Sequence, residues 1–163
     1  MWCEETPAVA QVANHVKDTH LGTILYNSQG KFYKDHLSED DTQFLDESDS
    51  DLDWDWDPSM TKFDGYIFLT YSFIVDNNWS LCIVIIGGKT RAKQYEISMS
   101  IRGDGAAVSV RGEVHSIDTD MGDILGGKGE GVLEFNKNMA RKLSRATADG
   151  RQGIRVQYEI RRK

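Results

Sequence analysis

The sequence predicts an all-β, antiparallel domain, a sandwich or a barrel, and three observations carry that expectation. Tyr95, Ile97, Met99 and Ile101 alternate with Glu96, Ser98 and Ser100, which is the period of a half-buried strand. Ile154, Val156, Tyr158 and Ile160 alternate in the same way with Arg155, Gln157, Glu159 and Arg161. Across the chain six to eight such runs are separated by short turn signals, the pattern of stacked or closed antiparallel sheets. With 163 residues there is room for one domain. A domain of that length buries roughly 70% of the surface its unfolded chain exposes.

The elements follow in order. Pro7 to His20 predicts a helix, with Thr6 as N-cap and Val9, Val12 and Val16 on one face. Thr23–Tyr26 and Lys31–Lys34 are short β-prone runs, and Asn27-Ser-Gln-Gly30 between them is a turn signal. Asp35–Asp57 predicts an exposed acidic insertion that holds Phe44, Leu45, Leu52, Trp54 and Trp56 as its apolar residues. Tyr66–Val75 is rich in aromatic and β-branched residues, and Asp76-Asn77-Asn78 turns the chain. Trp79–Ile86 is nearly all apolar, as expected of a strand covered on both faces, and Gly87-Gly88 ends it. After the alternating run at residues 95–101, Arg102-Gly-Asp-Gly105 turns the chain and Val108 and Val110 resume the alternation. Val132–Phe135 predicts a short strand and Asn136–Arg145 a short helix with Met139 and Leu143 one turn apart. Residues 154–161 form the last strand.

Charge narrows the function classes. The net charge is −7, which argues against a nucleic-acid binder, whose footprint is a basic domain. The charge is uneven: Asp35–Asp57 holds 11 acidic residues and no Lys or Arg, whereas Lys137–Lys163 holds nine basic and two acidic ones. No apolar run reaches the roughly 18 residues of a membrane helix. Residues 1–5 lack the basic and apolar regions of a secretion signal, and two cysteines, Cys3 and Cys82, make no disulfide framework. The expected compartment is the cytosol or the nucleus.

Several motifs resemble known chemistry without completing it. Gly122–Gly129 has the spacing of a phosphate-binding loop, but Gly129 stands where a magnesium-holding Ser or Thr belongs, and a flexible turn is expected. The Asp-rich run from Asp49 resembles a calcium loop, but Trp54 replaces its glycine and Met60 its closing glutamate. Ser38, Ser48 and Ser50 each precede an acidic residue by three places, as acid-directed phosphorylation requires. Arg102-Gly103-Asp104 spells an adhesion tripeptide and is expected to be a hairpin turn. His36 and His115 are isolated, and no nucleophile–base constellation stands out. Cys3, His15 and His20 have the Cys-x11-His-x4-His spacing of three zinc ligands.

The order of elements and several segments resemble the seven-in-absentia (Siah) family of ubiquitin ligases. Cys82-Ile-Val-Ile-Ile-Gly-Gly-Lys-Thr-Arg-Ala-Lys-Gln-Tyr-Glu-Ile97 is similar to that family's strand, glycine turn and following strand. Arg111-Gly-Glu-Val-His-Ser-Ile117 resembles its segment ending Pro-Arg-Ser-Ile, with His115 in place of the usual Arg. Val132-Leu-Glu-Phe-Asn-Lys-Asn-Met-Ala140 resembles its late strand and helix, and Cys3, His15 and His20 match the last three ligands of its second zinc finger. The likeness runs along almost the whole chain except the acidic insertion.

The resemblance implies an eight-stranded antiparallel sandwich of the tumour-necrosis-receptor-associated-factor (TRAF) type at residues 23–163, after a zinc-finger remnant at residues 1–22 with zinc as its cofactor. It implies dimerisation and capture of degron peptides, added as a β-strand, for ubiquitin-dependent degradation. The peptide-contacting positions it suggests are Ile24, Tyr26, Asp55 and Trp56, with Pro58 where the family has an unbranched apolar residue. The family's RING domain has no counterpart in these residues, so this chain is not expected to transfer ubiquitin alone. Its partners are expected to be degron peptides and a second copy or a full-length Siah-type ligase. Two other readings stand beside it: an adaptor or decoy without ligase activity, and a lectin-like ligand-binding sandwich with calcium at the Asp-rich run.

Overall fold

The computed structural model describes residues 24–26, 30–37, 59–75, 78–124, 130–146 and 152–163. The helix expected at 7–20 and most of the acidic insertion lie outside them. The described residues form eleven strands: β1 (Ile24–Tyr26), β2 (Lys31–Leu37), β3 (Ser59–Phe63), β4 (Tyr66–Val75), β5 (Asn78–Ile85), β6 (Tyr95–Arg102), β7 (Ala107–Glu113), β8 (His115–Ser116), β9 (Leu133–Asn136), β10 (Arg145–Ala146) and β11 (Gln152–Arg162). Eight of them have four residues or more. Three short helices, α1 (Lys89–Ala92), α2 (Met121–Asp123) and α3 (Lys137–Leu143), sit in the connections.

The strands pair into two sheets. In the first the order is β1-β3-β4-β5-β8, and β9 shares the far edge of β5 with β8. In the second, β2, β11, β6 and β7 lie side by side, and β10 pairs the start of β11. All pairings are antiparallel except β1 with β3 and β5 with β8. The fold is therefore all-β and mostly antiparallel, as the alternation predicts.

The alternation sets what lies between the sheets. Tyr95, Ile97, Met99 and Ile101 of β6 and Ile154, Val156, Tyr158 and Ile160 of β11 face Phe68, Leu81, Ile83 and Ile85 of the first sheet in one buried cluster. Tyr95 meets Phe68 edge to face at 5.2 Å between ring centroids. Each such side chain contributes about 1.5–3 kcal/mol by leaving water, which makes this interface the main source of stability. The first sheet is also apolar on its other face, where Met60, Ile67, Leu69, Tyr71, Cys82 and Val84 pack with Ile124. That is why residues 81–85 of β5 are continuously apolar: both faces are buried. The second sheet is polar outside, where Glu159, Arg161, Glu96 and Arg111 form exposed ion pairs.

Several boundaries differ from the expectation. β2 runs on to Leu37, so Asp35 lies in a strand paired with Arg155 of β11, and not in the insertion. The expected turn at 76–78 is shorter, because Asn78 pairs with Val75 as the first residue of β5. The helix expected over 136–145 is α3 alone. The Asn136 side chain accepts from the Met139 amide at 2.8 Å as N-cap, and Ser144 is extended, so Arg145 starts β10. β3, β8, β10, α1 and α2 carry no clear periodicity and were absent from the sequence expectation.

Candidate functional site

Strand edges are where a sandwich offers unpaired main-chain groups. Among the described residues β1 pairs only with β3, and β2 pairs only with β11. They are the edges of the two sheets on one side of the domain, four residues apart in the chain. Gly30 holds them there. Its φ of 68° suits glycine, and its carbonyl accepts from the Ile160 amide at 2.7 Å. The space a Cβ would take is filled by the Ile160 carbonyl and the Phe63 ring, so this turn touches both sheets.

β3 backs the β1 edge. Ile24, Leu25 and Tyr26 lie opposite Met60, Thr61 and Lys62 in parallel register. The hydroxyls of Ser59 and Thr70 hydrogen-bond to each other across β3 and β4, and the Thr70 hydroxyl also donates to the Ser59 carbonyl at 3.2 Å. The buried hydroxyl of Thr61 has no partner, an arrangement that costs about 1–3 kcal/mol. On β2, Tyr33 is the one large apolar side chain exposed among the described residues, at 59%.

The opposite side of the sandwich is shut. A Cβ on Gly112 of β7 would meet the Gly131 amide nitrogen, and a Cβ on Gly131 would meet the Glu113 carbonyl. The chain entering β9 thus lies directly on the edge of β7. His115, in β8, lies half-buried beside this crossing, with its Nε2 buried and unpartnered. Desolvation holds its pKa below the usual histidine value, against the pull of the Glu113 carboxylate.

Burial pushes the Cys82 thiol up to about 12, so it stays protonated and is no nucleophile. Burial likewise raises the Tyr71 hydroxyl to about 12, and burial together with the Asp64 hydrogen bond raises Tyr95 to about 12. Hydrogen bonds from Arg111, Lys163 and Arg161 lower the pKa values of Glu96, Glu113 and Glu159. The adhesion-like tripeptide is a hairpin bend. Gly103 presses on the Lys142–Leu143 backbone, and Asp104 pairs with Arg145 at 3.6 Å.

Of the residues singled out in the sequence, Ile24 and Tyr26 have their main chains in the β1 edge. Asp55, Trp56, Cys3, His15 and His20 lie outside the described residues. No group of three or more His, Cys, Asp or Glu side chains that could hold a metal is gathered among the described residues. No helix among them is long and apolar enough to cross a membrane. The sequence reading missed β3, with its Ser59–Thr70 pair, although Asp64-Gly65 before Tyr66 is a two-residue hairpin signal that pointed to it. No protein-family model matches the chain, and no curated protein matches it.

Proposed function

We propose that this chain is a peptide-recognition module of the Siah type. It binds a degron segment as an extra strand on the β1 edge, dimerises with a second copy or with a full-length Siah-type ligase, and in the latter pairing presents the segment for ubiquitin transfer. The observation that carries the reading is the position of β1: three residues at the margin of the first sheet, paired on one side only among the described residues. An extended peptide laid about 4.8 Å away would pair with their main chain, and each hydrogen bond would contribute about 0.5–1.5 kcal/mol. Main-chain bonds give affinity and not selectivity, so side-chain anchors must supply the choice of peptide. Trp56, two residues before the Pro58 that precedes β3, is the anchor of this reading, with Asp55 beside it. The mostly antiparallel two-sheet architecture and the motifs between Cys82 and Ala140 support the same reading.

The test is calorimetric titration of a Siah-type degron peptide into wild type and Trp56→Ala, with thermal melts beside it. Trp56→Ala should bind about thirtyfold more weakly, a loss of about 2 kcal/mol, with an unchanged melt. Equal affinities would remove Trp56 from the site, and failure of wild type to bind would refute the reading. Zinc at Cys3, His15 and His20 belongs to the same reading and would organise the residues before β1.

A further inference from the structure

Tyr33, the large apolar side chain left exposed among the described residues, sits on a strand edge. β2 pairs with β11 from Lys31 opposite Glu159 to Leu37 opposite Gly153, with no bulge and no proline. The direction of its main chain follows from one bond. The Gly30 carbonyl accepts from the Ile160 amide at 2.7 Å, so residues 30 and 160 are a hydrogen-bonded pair of the antiparallel ladder. Such pairs recur at every second residue. Phe32, Lys34 and His36 therefore turn their main-chain amides and carbonyls toward β11. Lys31, Tyr33 and Asp35 turn theirs the other way, over the margin of the second sheet.

We propose that β2 is a self-docking edge: two copies of the chain pair antiparallel through it, Tyr33 opposite Tyr33, and join their second sheets into one. Charge selects both the occupant and the register. A two-fold centred on Tyr33 sets Lys31 opposite Asp35 of the second copy, and Asp35 opposite its Lys31, so residues of opposite charge meet on either side of the centre. Phe32 falls opposite Lys34, and no like charges face each other. Other centres do worse. Centred on Lys34, two lysines would face each other, and centred on Asp35, two aspartates would. Centred on Phe32, Lys31 would meet Tyr33 and lose its aspartate. A centre between two residues would set outward-turned main-chain groups against inward-turned ones, and no ladder would form.

The rows of the joined sheet agree with this register. Asp35 lies opposite Arg155, and Lys31 opposite Glu159, within each copy. The row across both copies therefore runs Arg155, Asp35, Lys31, Glu159, with alternating sign, and the central row runs Gln157, Tyr33, Tyr33, Gln157. Lys31 meets Glu159 of its own copy at 3.5 Å, and an ammonium with three donors serves a second carboxylate as well. The two-fold uses the same edge on both copies, so assembly stops at two. The inference rests on the preceding reading for the role of the dimer, to which it gives a surface, and it leaves the main chain of β1 to the peptide.

The experiment is sedimentation equilibrium of the full chain, without peptide, from about 1 to about 100 µM. Wild type should pass from monomer to dimer across that range. Lys31→Glu sets a glutamate against Asp35, and Asp35→Lys sets a lysine against Lys31, so each variant alone should dimerise about tenfold or more weakly. Mixed in equal amounts, the two variants have opposite charges at both ends of the ladder and should associate about as tightly as wild type. Tyr33→Pro removes an amide hydrogen that points away from β11, a change an edge strand tolerates, and should leave the chain folded and monomeric. A wild type that stays monomeric throughout, single variants that dimerise like wild type, or a mixture no tighter than its components would overturn the proposal. The mixture decides it even if Tyr33→Pro did not fold. Because no peptide is present, a chain that dimerises in this way yet ignores a degron peptide would count against the peptide reading alone.

Discussion

Tyr95 donates its phenolic hydrogen to Asp64 at 2.7 Å and so joins the start of β6, in the second sheet, to the β3–β4 hairpin of the first. Asp64, at φ 51°, and Gly65, at φ 81°, form the two-residue turn between β3 and β4, where both central residues need positive φ. Arg162 reaches the same carboxylate at 3.4 Å. Beneath the hydroxyl, the Tyr95 ring packs on Phe63, Tyr66 and Phe68 at 6.4, 6.1 and 5.2 Å between centroids. One residue thus fixes how the sheets meet at this end, through both its ring and its polar tip.

The two contributions separate by substitution. Tyr95→Phe keeps the ring and loses the bond to a carboxylate that water can still reach, so it should cost about 1 kcal/mol. Phe68→Ala empties a fully buried site and should cost about 3–5 kcal/mol. Urea denaturation of both variants measures this, and equal losses would show that the hydroxyl does more than the geometry allows.

The glycine crossing makes a sharper demand. Gly112→Ala places a methyl group into the Glu130–Gly131 backbone, and backbone cannot rotate away as a side chain can. Gly131→Ala does the same against Glu113 and adds the cost of φ 88° for an L residue. Each should lower stability by about 2–3 kcal/mol, while Gly105→Ala, with open space around it, should cost much less. Thermal melts of the three decide it. A Gly112→Ala variant as stable as Gly105→Ala would mean that the closed side is looser than its contacts.

What could be read from the sequence follows from where periodicity is strong. β6 and β11 are legible because one face of each meets the core and the other meets water, so burial prints a period of two. β5 is legible as a run because both its faces are buried, a property that composition alone records. β3 was missed because Ser59 and Thr61 face inward as hydroxyls, so its inner face does not look apolar. β8 and β10, at two residues each, are too short for any period. The β1 edge was legible as a β-prone run, but that it lies at a sheet margin is a property of pairing, which no local pattern carries.

Alkaline pH should weaken the fold in a defined window. The Cys82 thiol rises from 9.0 to about 12 and the Tyr71 hydroxyl from 10.0 to about 12, both chiefly through burial on the second face of the first sheet. For acids whose folded pKa is raised, the stabilising contribution is complete below the unfolded value and is lost as pH climbs to the folded one. The melting temperature should therefore fall between about pH 9 and about pH 12, with a loss on the order of 4 kcal/mol from Cys82 and on the order of 3 kcal/mol from Tyr71. Cys82→Ala should begin its decline a full pH unit later, with only tyrosine left to ionise. A melt that is flat across this window would mean that water reaches both groups.

The last prediction concerns peptide choice and rests on the proposed β1 edge. The chain between β2 and β3 is the most acidic part of the sequence. Residues 38–57 hold ten of the 11 carboxylates counted from Asp35, with no Lys or Arg among them, and β3, which follows, is the partner of β1. A peptide approaching β1 therefore enters a negative field, and one with Lys or Arg beside its extended segment should associate faster than a neutral one. Exposed charges are screened within about 10 Å at 0.1 M salt, so the advantage should shrink as salt rises. Stopped-flow association of two peptides with the same core, one flanked by lysines and one by serines, tests this at low and high sodium chloride. The lysine peptide should associate about tenfold faster at low salt and nearly alike at high salt, with dissociation rates unchanged. Identical rates at low salt would mean that the acidic stretch does not act on the edge. Faster association of the serine peptide would mean that some basic group governs the approach instead.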